Sequence, residues 1–190
     1  LHIPADVHLY PQGYLIAILD SPLPITEARY YVGKKTILGL FPAAGGKVYC
    51  FYMIPTGSYD RVKAQGLPAL QQAWTAIDPM LKTLFQQLTD WSQTAFMPTG
   101  RVRTPTWVAD GAVLIGDAAH AMKLADLLPE CLAERNFSAA KLKIYEHARR
   151  PQVTMLQRLA DEQVLFWNSA NPVIGFLRDR VFRTLDRNPR

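Results

Sequence analysis

The stretch with the most chemical content is Gly111-Ala-Val-Leu-Ile-Gly-Asp-Ala-Ala-His120. An apolar run enters Gly116, and Asp117, Ala118, Ala119 and His120 follow at once. This order sets a carboxylate at the carboxyl end of a buried strand, where the ligands of α/β sheets gather. Gly116 permits close approach of backbone and ligand, and the two alanines leave room beside it. A carboxylate held there accepts hydrogen bonds from hydroxyls, as a ribose-like group requires. The plain alternative for Asp117 is a helix cap or turn former. His120 either sits near a bound group or bonds backbone at the strand end. No Ser-His-Asp or metal-ligand spacing accompanies the motif, so no side chain is assigned as catalytic and no metal is expected. His2, His8 and His147 are scattered and read as surface residues.

The elements that position this stretch change character along the chain. The first half reads as strands over 13–19, 27–32, 36–41 and 47–54, rich in β-branched and aromatic residues and stopped by Pro22, Pro42 and Pro55. The links Gly33-Lys-Lys35 and Ala43-Ala-Gly-Gly46 are hairpin-sized, which predicts an antiparallel meander. Both faces of the strand Val48-Tyr-Cys-Phe-Tyr-Met-Ile54 are apolar, so one needs a second layer or a ligand. Helices are predicted over 67–77 and 79–88, the second capped by Asp78. Residues 93–102 return to the sheet, and Ala112–Ile115 reads as a short buried strand. The last third is helical: 123–133, then 139–167 capped by Ser138 and bent at Pro151, then a final helix from Asn171-Pro172.

Composition bounds the function classes. The chain has 190 residues with 49% hydrophobic, 11% aromatic and 19% charged residues, which excludes disorder and leaves a sizeable core. There is no repeat period and no apolar run of membrane-spanning length. Cys50 and Cys131 make neither a disulfide framework nor a metal site, so the expected compartment is reducing and cytoplasmic. The net charge is +5, but the last 13 residues carry five arginines against two aspartates. The balance elsewhere is nearly neutral, which argues against a nucleic-acid partner. The final helix is amphipathic, and residues 171–190 read either as a solvated face over a packed stripe or as a contact for an anionic membrane surface or acidic partner. The first residue is Leu1, so the expectation is a processed product, a fragment, or the ordered part of something longer.

With these residues in view, the chain resembles the FAD-dependent aromatic hydroxylases, the single-component flavin monooxygenases similar to para-hydroxybenzoate hydroxylase and to ubiquinone-biosynthesis hydroxylases. Gly116-Asp117-Ala118-Ala119-His120 after an apolar strand looks like their second flavin-binding motif. Trp107-Val-Ala-Asp-Gly-Ala-Val113 looks like its lead-in, and Tyr145-Glu-His-Ala-Arg-Arg-Pro151 like the helix motif Tyr-Glu-x-x-Arg-Arg-Pro. The resemblance implies an α+β fold: an antiparallel substrate-domain sheet with helices, then a remnant strand of the FAD-binding domain, then C-terminal helices. The corresponding domains are 1–104, 105–122 and 123–190. It implies FAD held by Gly116, Asp117, Ala118 and His120, with Asp117 on the ribityl hydroxyls. NADPH or NADH would reduce the flavin, and O2 would form a flavin hydroperoxide that hydroxylates an aromatic, phenolic substrate. Arg149 and Arg150 would form a structural fork tying the helix to carbonyls or acids of the flavin domain.

The aromatic residues Tyr30, Phe41, Tyr49, Phe51 and Tyr52 line a substrate pocket or pack the sheet. Strand alternation lets only about half of them face one side. Tyr30, Phe41, Phe51 and Pro98 are singled out as pocket residues; Arg101 shares the strand of Pro98. The sequence departs from the family in lacking Gly-x-Gly-x-x-Gly and its N-terminal βαβ unit. It also lacks roughly 15–20 residues of loop and helix between Met122 and Lys123, read as a loop left out rather than a true deletion. An isolated chain of this sequence is expected to bind FAD poorly. The alternatives are another flavin oxidoreductase of the same fold, or a non-enzymatic module that binds an apolar ligand.

Overall fold

The structure is a computed structural model that describes residues 4–115 and 127–187. By its contacts the chain divides into two units. One comprises Leu9–Gly100 and Val164–Arg190, the other Leu1–His8 and Arg101–Gln163. The architecture is α+β.

The first unit is built on a five-stranded sheet. Its strands are β1 (Asp6–Asp20), β2 (Arg29–Gly33), β3 (Thr36–Ala43), β4 (Lys47–Pro55) and β5 (Thr94–Arg103), in the order β2-β3-β4-β1-β5. The pairings of β2 with β3, β3 with β4 and β1 with β4 are antiparallel. Only β2-β3-β4 forms a meander. The simple four-strand meander is corrected here, because β1 lies between β4 and β5 rather than beside β2. It is also longer than the apolar run 13–19, extending back through residues 6–12, which are exposed or half-buried.

Strand alternation sorts the sheet into two faces. Leu19 stands opposite Val48, Ala17 opposite Cys50 and Leu15 opposite Tyr52; on the other side of β4, Leu40 and Leu38 face Cys50 and Tyr52. These residues form the core face. Three short helices cover it: α1 (Tyr59–Ala64), α2 (Leu67–Ile77) and α3 (Lys82–Phe85). Leu70, Trp74, Leu81, Leu84, Phe85 and Leu88 complete the buried cluster. The Trp74 ring meets Phe85 edge-on at 5.5 Å. Asp78 begins the turn before α3, accepting from the Met80 amide at 2.9 Å, and its other oxygen accepts from the Tyr31 hydroxyl at 2.7 Å. Cys50 is buried and free, and burial pushes its thiol pKa up to about 12.

The second unit holds a small hairpin, β6 (Val108–Ala109) and β7 (Ala112–Val113), turned at Gly111 with φ of +70°. Residues 127–133 form helix α4, and α5 (Ala139–Asn168) runs through Pro151. The last helix, α6 (Pro172–Arg187), belongs to the first unit; the Asn171 side chain accepts from the Val173 amide at 2.9 Å. Val108, Leu127, Cys131, Leu142 and Tyr145 form a second, smaller core. The buried-strand reading of 112–115 is corrected: only Ala112 and Val113 pair. Leu114 and Ile115 are 43% and 54% exposed, because among the described residues β6 is the sole strand beside β7. Met122 and Lys123 are consecutive in the sequence, so the loop expected between them is not part of this chain.

Candidate functional site

The face of the sheet opposite the core is aromatic. One cross-strand row runs Ile16, Phe51, Gly39, Tyr30, and the next runs Ile18, Tyr49, Phe41. The rings interlock: Tyr30 with Phe41 at 5.2 Å, Phe41 with Phe51 at 5.4 Å, and Tyr49 with Phe51 at 4.6 Å. Such edge and tilted contacts hold each ring in one orientation. Gly39 is what lets the rows close: a Cβ there would meet Tyr30 and Phe41 ring carbons at 3.1 Å. Gly13 lets β5 approach, since a Cβ would lie 2.5 Å from the Phe96 ring and 2.7 Å from the Met97 carbonyl.

Above these rows lies a cavity of about 460 Å³ lined by Tyr14, Tyr30, Phe41, Pro42, Ala43, Tyr49, Phe51 and Met97. That volume is within the range of small-molecule sites, and a mostly apolar wall with a few polar groups is their usual chemistry. The polar groups are three phenols. Among the described residues the hydroxyls of Tyr14, Tyr30 and Tyr49 have no hydrogen-bond partner, unlike those of Tyr31, Tyr59 and Tyr145. Burial, and next the Tyr30 phenol, push the Tyr14 pKa above its ordinary value, so Tyr14 stays a proton donor. Behind Tyr30, the Trp167 ring stands 5.7 Å away and is backed by Phe182 at 6.2 Å.

Of the sequence candidates, Tyr30, Phe41 and Phe51 therefore stand together on this wall. Pro98 is exposed and is not among the lining residues. Tyr52 lies on the core face, in contact with Trp74. Arg101 pairs with Asp161 at 2.6 Å. Sequence reasoning missed Tyr14 and Met97. The signal for Tyr14 was its parity with Ile16 and Ile18, out of phase with Leu15, Ala17 and Leu19.

The cofactor candidates Gly116, Asp117, Ala118 and His120 lie outside the described residues. Their lead-in is described, and it is tied down by the helix motif. The buried Glu146 carboxylate accepts from the Trp107 amide at 3.0 Å and the Thr106 hydroxyl at 3.2 Å. Arg150 pairs with the same carboxylate, donates to the carbonyls of Thr104 and Pro105 at 3.2 and 3.0 Å, and lies over the Trp107 ring at 4.8 Å. Burial alone would raise the Glu146 pKa. The Trp107 amide, Arg150 and Thr106 outweigh it and hold the carboxyl below the usual range. The Tyr145 hydroxyl reaches the Leu114 carbonyl at 3.5 Å, and the Leu114 amide donates to the Trp107 carbonyl at 2.7 Å. Asp110 accepts from the Ala139 amide at 2.8 Å, and the Ser138 hydroxyl accepts from Lys141 N at 3.4 Å, so both cap α5. Arg149 bonds Gln152 and plays no part in the clamp. The fork is thus Arg150 with Glu146.

A cavity of about 680 Å³ lies beside this clamp, lined in part by Asp6, Arg103, Trp107, Arg150 and Gln157. Its arginines are already engaged, Arg150 by Glu146 and two carbonyls and Arg103 by Asp161 at 3.7 Å.

No protein-family model matches the chain. Among curated proteins, 6-methylpretetramide 4-monooxygenase of Streptomyces rimosus is 24% identical over 207 residues, covering 98% of this chain and 49% of its own length. The aligned stretch exceeds the 190 residues of this chain, so the relative carries residues that this chain lacks. PqsL of Pseudomonas aeruginosa, described as a probable FAD-dependent monooxygenase, shares the fold with a TM-score of 0.70 at 17% identity, over 88% of this chain and 52% of its own. PqsL has also been solved with 2-aminobenzoylacetate. HpxO of Klebsiella pneumoniae, complexed with FAD, shares it with a TM-score of 0.67 at 16% identity, over 97% of this chain and 53% of its own. The chain thus spans about half the length of the proteins it matches. In sequence and in fold, over that half, it resembles the FAD-dependent monooxygenases.

Proposed function

We propose that this chain is the substrate-sheet part of an FAD-dependent, NAD(P)H-using monooxygenase that oxygenates a small aromatic, phenolic molecule. The observation that carries the reading is the aromatic face of the sheet. Six apolar or aromatic side chains form two rows there, closed up at Gly39, and a cavity of about 460 Å³ sits on them. The names of the relatives support it: a 6-methylpretetramide 4-monooxygenase, an FAD complex, and a complex with 2-aminobenzoylacetate.

On this reading Gly116, Asp117, Ala118 and His120 would hold FAD. The described lead-in fits that role, because the backbone is bonded up to Leu114, two residues before Gly116. When bound and reduced, FAD supplies activated oxygen for transfer to the ring. The chain's own residues do the rest. Tyr30, Phe41 and Phe51 offer ring faces and edges to a planar substrate and exclude water from it. Tyr14, Tyr30 and Tyr49 offer hydroxyls to its polar edge, and Tyr14 remains a donor through neutral pH.

The test is made on the whole protein. It should turn yellow with FAD, oxidise NAD(P)H when a phenolic aromatic is added, and place one atom of labelled O2 in the product. A folded sample that stays colourless through an FAD titration contradicts the reading. The non-enzymatic alternative has one observation in its favour, since every cavity residue lies between Tyr14 and Met97. It predicts tight aromatic binding that FAD leaves unchanged.

A further inference from the structure

The last helix carries more exposed apolar surface than a solvated helix needs. Val173, Phe176, Leu177 and Val181 are about half exposed or more, Phe176 at 65%. Their spacing of three and four residues puts them on one broad side of α6. The helix is held by its other side. Arg178 is 4% exposed and donates to the carbonyls of Gly33 and Trp167, both at 3.3 Å, while Phe182 packs against Trp167. An arginine turned inward as an anchor fixes which side of α6 faces outward.

Arg180 and Arg183 are exposed on the outer side, next to Phe176, Leu177 and Val181. We propose that this side of α6 lies on an anionic lipid surface, in the plane of the headgroups. Phe176, Leu177 and Val181 would enter the acyl boundary, and Arg180 and Arg183 would meet phosphate groups. Charge selects this occupant over a second copy of the chain. Self-pairing would bring Arg180 and Arg183 toward their own counterparts, and Asp179 is already paired with Arg178 at 3.2 Å. Geometry selects it over an acidic protein. The arginines lie within the apolar band, and a protein groove would have to bury them, whereas a bilayer boundary lets long side chains reach up to the headgroups. Among the described residues no helix is long and apolar enough to cross a membrane, so the contact proposed is along the surface. This inference does not depend on the flavin reading.

The test is sedimentation of the full chain with vesicles of phosphatidylcholine containing one quarter phosphatidylglycerol, at about 0.1 M salt. Binding is expected to be saturable and to fall at least tenfold on pure phosphatidylcholine. Arg180→Gln with Arg183→Gln should weaken it roughly 30-fold, at about 1 kcal/mol per basic residue near an anionic surface. Phe176→Ser with Leu177→Ser should weaken it more than tenfold with an unchanged circular dichroism spectrum, since both side chains are exposed. Three results overturn the proposal. These are no binding to the anionic vesicles, equal binding by the Phe176→Ser/Leu177→Ser variant, and soluble polyglutamate binding as tightly as the vesicles.

Discussion

The two units hold themselves together differently. The sheet unit buries fourteen residues in one cluster, from Leu15 on β1 to Leu88 beyond α3, with Trp74, Leu84 and Phe85 at its centre. Among the described residues, the unit that leads to Gly116 buries five in its cluster, and its hairpin has two-residue strands. What fixes that hairpin is polar: Glu146 and Arg150 on one helix gather three backbone groups between Thr104 and Trp107. Apolar burial makes a broad rigid platform and suits a wall for a planar ligand. A polar clamp fixes one short segment in direction without a large core around it, which suits the role proposed above for the segment before Gly116.

That contrast is open to attack from the sheet side first. Trp74→Ala removes the largest fully buried side chain and should destabilise the sheet unit by about 3–5 kcal/mol in urea denaturation. If the clamp is independent, protection of the Trp107 amide at low denaturant should survive. The converse variant is Glu146→Ala, which strands the Arg150 guanidinium and the Trp107 amide. It should cost about 2–3 kcal/mol locally, read as faster hydrogen exchange at Trp107 with the sheet amides unchanged. Equal acceleration of both sets would erase the distinction between the units.

Acid sharpens the same comparison. The Glu146 pKa is lowered in the folded chain, so its contribution is fully present above the ordinary glutamate value of about 4.3 and is lost as pH falls through the lower folded value. Protection at Trp107 should therefore weaken below about pH 4, with the Glu146→Gln variant already weak and flat across that range. Smaller again is Tyr14→Phe. It should lower affinity for a hydroxylated two-ring aromatic about fivefold, roughly 1 kcal/mol, and leave the hydroxyl-free analogue unchanged. Smallest is Arg158→Ala. Its pair with Glu162 is exposed, so thermal unfolding should shift within error.

The strands of the meander were legible because Tyr, Val, Ile and Phe cluster between Pro and Gly stops, and α2 was legible to the residue. The place of β1 was not. Its partners β4 and β5 are distant in sequence, and local propensity carries no information about which strand inserts between them. Period 2 showed that the aromatics must divide between two faces, but not which way. Period 2 separates Tyr49 from Tyr52, but only the register opposing Tyr49 to Ile18 and Phe41 shows which of the two stands on the aromatic face. The exposure of Leu114 and Ile115 was illegible for another reason: four apolar residues in a row read as a buried strand wherever they stand, and burial depends on partner strands. Arg150 was legible as a fork through its motif, while Glu146 as its counter-ion emerged only from the fold.

The central claim is that the aromatic face takes an aromatic ring. The measurement that tests it most directly uses the chain with isotope-labelled methionine methyl groups, titrated with 2-naphthol and followed by NMR. Met97 lines the cavity, and Met80, 84% exposed on another part of the same unit, serves as the internal control. Ring currents should move the Met97 methyl signal saturably and leave Met80 in place. A Met97 signal that stays still while the protein is folded, or that moves no more than Met80, would contradict the account.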